Sequence, residues 1–171
     1  MDMYEEAKQL LEQTQLEGLL NSFGEIELVG SYRYRTMVER DIDFQLWPNN
    51  KIDFTLRSQL LEELGVLVNC RSISMSDLLH FPDFANKPLK GIWYGLSFIH
   101  PSTEEKWSVD IWLIDKKDDP TQAANSLHQQ MLDITEEQRR EIVYQKQQTV
   151  ANGDAIKGKT SAEIYRSIIT A

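Results

Sequence analysis

The sequence predicts an α+β protein: a mixed β-sheet flanked by helices, with a C-terminal helical segment packed on it. Three observations predict it. Apolar residues recur at helical spacing in some windows, and strict two-residue alternation runs through others. The 8 glycines and 5 prolines among 171 residues are also too few for a sandwich of many short, tightly turned strands. The chain is about one domain long, since domains run to roughly 100 to 200 residues. With 41% hydrophobic and 26% charged residues it can bury a core, which excludes wholesale disorder.

Taken in order, Met3, Ala7, Leu10, Leu11, Leu19, Leu20 and Phe23 predict one amphipathic helix over 2–23, stopping at Gly24. Ile26 to Val29 is a short buried strand ending in Gly30 and Ser31, followed by a polar, basic loop or helical turn over 33–40. From Asp41 to Trp47 the residues alternate. Asp41, Asp43 and Gln45 point one way, and Ile42, Phe44 and Leu46 the other, so this is a half-buried strand that Pro48 should end. Leu56, Leu60, Leu61 and Leu64 before Gly65 make a second helix, and Val66 to Val68 a short strand. Ser74 and Asp77 fit a capping box opening a small helical turn. Gly91 to Ile99 and Trp107 to Ile114 form a hairpin across the polar PSTEEK turn, with Trp107, Val109, Ile111 and Leu113 on one face and Asp110 on the other. Helical patterns follow over 121–133, 135–151 and from Ser161 onward.

Charge divides the molecule in the same place as pattern. The net charge is −9, and residues 1–120, with 12 basic and 21 acidic side chains, carry all of it. We therefore expect a domain over 1–120 and a helical extension over 121–171. An acidic surface repels a polyanion, which argues against bulk nucleic-acid binding. The single Cys70 cannot form an internal disulfide, and neither a basic-then-apolar leader nor an apolar run of membrane-spanning length is present. The expectation is a cytoplasmic protein without a membrane partner.

The chemistry concentrates in LVGSYRYRTMVERDIDFQLW, residues 28–47. Asp41 and Asp43, two apart on a strand, lie about 6.6 Å apart along the chain, so their carboxylates can converge on one ion. At about 5 Å and an effective dielectric near 20 they repel by ~3 kcal/mol, which a divalent cation with oxygen ligands would relieve. Asp110 on a neighbouring strand would complete a set of three acids able to hold two ions for in-line phosphoryl transfer. Gly30 lets a phosphate approach the backbone, and Ser31 can hydrogen-bond it. Arg33, Arg35 and Arg40 supply positive charge for terminal phosphates in an otherwise acidic region.

This combination resembles the polymerase-β-like nucleotidyltransferase superfamily. Its signature is an apolar strand, Gly-Ser, a short helical connection, Asp-x-Asp on the next strand and a third acid later. The resemblance spans about half the chain, residues 26–114. It implies that Gly30 and Ser31 grip a nucleoside triphosphate, that Asp41 and Asp43 ligate Mg2+ or Mn2+, and that Asp110 ligates metal and helps deprotonate an acceptor hydroxyl. It further implies transfer of a nucleoside monophosphate to a small molecule or a protein side chain. Thr36 matches the pattern, but Arg35 stands where many relatives have glycine, so a catalytically inactive binding or regulatory module is the alternative. The helical tail would wall the acceptor side or form a homodimer interface.

Other chemistries fit less well. A calcium loop starting at Asp41 would need glycine where Leu46 stands. His80, His100 and His128 lack zinc spacing, and no Walker A or dinucleotide fingerprint occurs. Trp93, Tyr94, Trp107 and Trp112 read as sheet packing rather than a stacking platform.

Overall fold

The computed structural model describes residues 2–81, 91–115, 122–151 and 159–170. Its sheet has five strands: β1 (Gly24–Val29), β2 (Asp41–Pro48), β3 (Cys70–Asp77), β4 (Ile92–Ile99) and β5 (Lys106–Leu113), in the order β1-β2-β5-β4-β3. Only β2 and β5 run parallel; the other neighbours are antiparallel, so the sheet is mixed. The helices are α1 (Met3–Thr14), α2 (Leu16–Phe23), α3 (Gly30–Tyr34), α4 (Phe54–Gly65), α5 (Gln122–Leu132), α6 (Glu136–Ala151) and α7 (Lys159–Ile169). This is the α+β arrangement expected.

The predicted N-terminal helix is two helices. Asp2 caps α1 by accepting from the amides of Tyr4 and Glu5, and the chain then breaks at Gln15, whose φ is 53°. On one continuous helix, at about 100° per residue, Leu16 and Leu20 would face away from Ala7, Leu10 and Leu11. The left-handed residue re-aims the second turn, and all five side chains are buried in one core.

That core fills one face of the sheet. Ile42, Phe44 and Leu46 of β2, Trp107, Val109, Ile111 and Leu113 of β5, and Ile92, Tyr94, Leu96 and Phe98 of β4 are buried against α1, α2 and α4. The hairpin of β4 and β5 forms as expected, in continuous antiparallel register from Ile92↔Leu113 to Ile99↔Lys106.

Two local expectations fail together. Val66 and Val68 are exposed in a turn, and the stretch read as a helical cap is edge strand β3, paired to β4 from Cys70 to Asp77. Asp77 caps no helix there; it pairs with Arg57 of α4. An edge strand has only one hydrogen-bonded neighbour and much of it faces water, so its serines leave no alternating apolar signal. Pro48 also pairs, opposite Gly24, at the margin of the sheet where a missing amide is tolerated.

A second, smaller core joins the end of α3 to the C-terminal helices: Tyr34, Met131, Ile134, Ile142 and Tyr165 are buried together. No helix among the described residues is long and apolar enough to cross a membrane.

Candidate active site

The face of the sheet opposite the main core carries the acids. Reading across β1, β2, β5, β4 and β3, one row is Val29, Asp43, Asp110, Gly95 and Ser74. A neighbouring row pairs Asp41 with Ser108 and Ser97, and the row on the other side pairs Gln45 with Trp112 and Trp93. Asp43 and Asp110 are thus direct cross-strand neighbours, on strands about 4.8 Å apart. Asp41 lies two residues along on the same face.

Gly30 follows Val29 directly, so the strand end delivers it to the Asp43 side of this row. Its φ is +69°, and a Cβ there would stand 2.9 Å from the Asp43 Cγ and overlap a carboxylate oxygen. Gly30 therefore has two reasons to be glycine: the left-handed backbone and the carboxylate packed on it. Gly30→Ala should cost about 2 kcal/mol or more, from backbone strain plus displacement of Asp43. Urea unfolding checks this, and an unchanged midpoint would show that the carboxylate does not pack there.

Burial pushes the Asp43 carboxyl well above its usual range, and the charges of Asp41 and Asp110 add to that push; Lys146 works against it. This is the electrostatic conflict expected of clustered carboxylates. No three described His, Cys, Asp or Glu side chains stand close enough to hold a metal ion by themselves. The three acids, spread over two neighbouring strands, do not form a closed cage. Their donor chemistry still suits a hard cation such as Mg2+, which is commonly held by one or two carboxylates and completed by water and substrate phosphates.

Lys146 escaped sequence reasoning. It lies on α6, is 3% exposed, and its Nζ donates to the Thr36 carbonyl at 3.0 Å and lies 3.4 Å from the Tyr165 hydroxyl. Burial lowers its pKa to about 8, while Asp43, Glu39 and Asp41 hold it up. A lysine inside the α6 pattern looks like a solvated residue, and only the docking of α6 onto the loop after α3 buries it. His128, which lacks zinc spacing in the sequence, is buried in the structure. Its Nδ1 lies 2.8 Å from the Tyr34 hydroxyl and its Nε2 2.9 Å from Glu27 Oε1. A Glu27 carboxylate can only accept, so Nε2 carries the hydrogen and Nδ1 accepts from Tyr34. Tyr34, whose hydroxyl burial drives its pKa upward, stands edge-on to Tyr165 at 5.8 Å. Together these contacts tie the Gly30–Thr36 connection to β1 and to the C-terminal helices.

The three arginines part company. Arg33 is exposed on α3. Arg40 donates from Nε to Glu6 at 2.9 Å and lies 3.8 Å from Glu105. That hydrogen bond holds the buried Glu6 carboxyl below its usual range. The guanidinium is thus tied into an ion pair with Glu6 in this structure. Arg35 ends α3 with φ 58°, a left-handed conformation that costs an L-residue about 1 kcal/mol, and it lines a groove against α6.

The aromatics divide as well. Tyr94 and Trp107 are fully buried core, as expected, whereas Trp93 and Trp112 stand on the acid face, with the Trp93 ring laid over Gly95.

No protein-family model and no curated protein matches this chain. Among solved structures it is similar to the small alarmone synthetase 1 from Bacillus subtilis bound to its product pppGpp. The TM-score is 0.44 at 9% identity, over 96% of this chain and 87% of that one. It is also similar to the poly(A) polymerase complex of GLD-2 and GLD-3, with a TM-score of 0.39 at 14% identity over 76% of this chain and 42% of that one.

Proposed function

We propose that this protein is a metal-dependent nucleotidyltransferase that moves a nucleoside monophosphate from a nucleoside triphosphate onto a hydroxyl acceptor. The observation that carries this reading is the row in which Gly30, at a strand end, packs on Asp43 beside Asp110. It sets the strand end that opens α3 against two carboxylates that resist ionising together.

Asp41, Asp43 and Asp110 would hold the divalent ion, which when bound supplies charge neutralisation for the polyphosphate. At the start of α3 the Ser31 hydroxyl and amide can donate to a phosphate. Arg33, exposed on the same helix, adds positive charge. The acceptor oxygen attacks the α-phosphorus, the bond to the β-phosphate breaks, and pyrophosphate leaves. Asp110 is the carboxylate best placed to accept the proton of the acceptor hydroxyl, being beside Asp43 and one strand further from Gly30. Most of the catalysis is positioning and electrostatics, with no covalent step by the protein.

One observation favours a second reading. The left-handed Arg35 stands where glycine would be cheapest, which fits a module that binds nucleotide without turnover. Incubation with α-labelled triphosphates, Mg2+ and a panel of hydroxyl acceptors tests both. Labelled acceptor with release of pyrophosphate is the expected outcome. Magnesium-dependent stabilisation by triphosphate without transfer to any acceptor would instead support the binding module.

A further inference from the structure

We propose that the groove between Arg35 and α6 is a separate binding site for a small phosphorylated ligand such as a nucleoside monophosphate. It is an open groove of about 240 Å³, and Arg35, Arg139, Arg140, Glu136, Tyr144 and Gln147 are among its lining residues. That is below the roughly 300 to 1,000 Å³ of a typical small-molecule pocket, so the groove suits a phosphate group with the rest of its ligand lying across the open mouth.

Three arginines against one carboxylate is an unusual balance in a chain of net charge −9. Glu136 serves two of them, lying 2.5 Å from Arg139 Nη1 and 3.8 Å from Arg140 Nε. No carboxylate among the described residues pairs with Arg35 in this way. Arg139 is also tied down through Nε, which donates to the Tyr34 carbonyl at 3.1 Å. A planar guanidinium held on two sides keeps its remaining donors in a fixed fork, the geometry that suits phosphate oxygens.

The backbone at Arg35 points the same way. Glycine would adopt φ 58° without strain, yet arginine stands there, and it lines the groove. Tyr144, one helical turn beyond Arg140, is 56% exposed. It offers a flat ring beside the cations, on which a base can stack.

This groove is not the acid row. The charges that act on Asp43 come from Asp41, Asp110 and Lys146, none of which lines it. Helix α6 stands between the two: it turns Lys146 and Ile142 inward and lines the groove with Arg139, Arg140 and Tyr144. The site is therefore independent of the transfer reaction proposed above. The acidic remainder of the surface favours a free nucleotide over a long polyanion.

Calorimetric titration with AMP and with inorganic pyrophosphate, in chelator so that metal-dependent binding is silent, tests the assignment. Saturable binding is expected, weakened at least about fivefold by Arg35→Gly and by Arg140→Gln but not by Lys8→Gln, which removes a charge from α1. Arg35→Gly should at the same time raise the Tm, because it relieves the left-handed strain, so its lost affinity cannot be blamed on unfolding. Asp43→Asn should bind AMP no more weakly than wild type. The proposal is overturned by absence of saturable binding to either probe, by an Arg35→Gly protein that binds as wild type does, or by equal weakening in Lys8→Gln. Tighter binding of a single-stranded RNA oligomer than of AMP would overturn the assignment to a small free ligand.

Discussion

Asp43→Asn is expected to lower triphosphate turnover by about 1,000-fold while making the metal-free protein more stable. The side chain keeps its shape against Gly30, so the Gly30 turn stays in place, but the anionic oxygen is gone. The stability gain follows from the carboxyl's environment: burial first, then Asp41 and Asp110, push its pKa well above the ordinary 3.8. The folded protein therefore holds this proton in a pH range where the unfolded chain has released it. Stability is greatest below the unfolded value and is lost as pH rises through the folded one. Asn, which never ionises, removes that loss. Thermal unfolding in chelator from pH 4 to 8 should show a declining Tm in wild type and a flatter profile in the variant. A variant that unfolds earlier than wild type at pH 7, or that retains turnover, would contradict both the electrostatics and the assigned role.

Lys146→Met is expected to remove a pH-dependent part of the stability that wild type shows between pH 7 and 10. The Thr36 carbonyl loses its donor, and the acids lose the buried cation that works against their mutual repulsion. The pH dependence separates this from simple loss of packing. Wild-type Lys146 has a pKa lowered from 10.5 to about 8, chiefly by burial. Between these values the unfolded chain binds the proton and the folded one does not, so this group makes stability rise from about pH 8 to 10.5 and be lost as pH falls through 8. Tyr94 and Tyr165, raised to about 12 by burial, act in the opposite sense above pH 10. Urea midpoints from pH 7 to 10 should therefore rise in wild type and not in Lys146→Met. Turnover should also fall, by about tenfold, because the connection that Lys146 anchors is the one carrying Gly30 and Ser31. Identical midpoints and slopes in the two proteins would remove Lys146 from the site.

Much of this arrangement was legible in the residues themselves. Strict alternation placed Ile42, Phe44 and Leu46 on the core face, and put Asp41 and Asp43 together on the other, because side chains on a strand have a period of two. The same rule set Asp110 apart from Trp107, Val109, Ile111 and Leu113. The breaks in the reading have a common cause. Residues 2–23 carry two apolar stripes that no single helix can bury, and only the core they enter forces the turn at Gln15. The serines of β3 form a strand because β4 lends them a hydrogen-bonding edge, which their own propensity does not announce.

What the sequence determined alone is the local periodicity, the elements that follow from it, and the side of each strand on which chemistry sits. The tertiary structure decided the rest: that Asp43 neighbours Asp110 across a parallel pair, that Arg40 belongs to Glu6 while Arg35 belongs to α6, and that Lys146 lies buried near the acids. Periodicity is carried by covalent geometry between near neighbours along the chain. Burial and charge pairing depend on which distant segments meet, and one lysine reads the same whether its helix faces water or an acidic sheet.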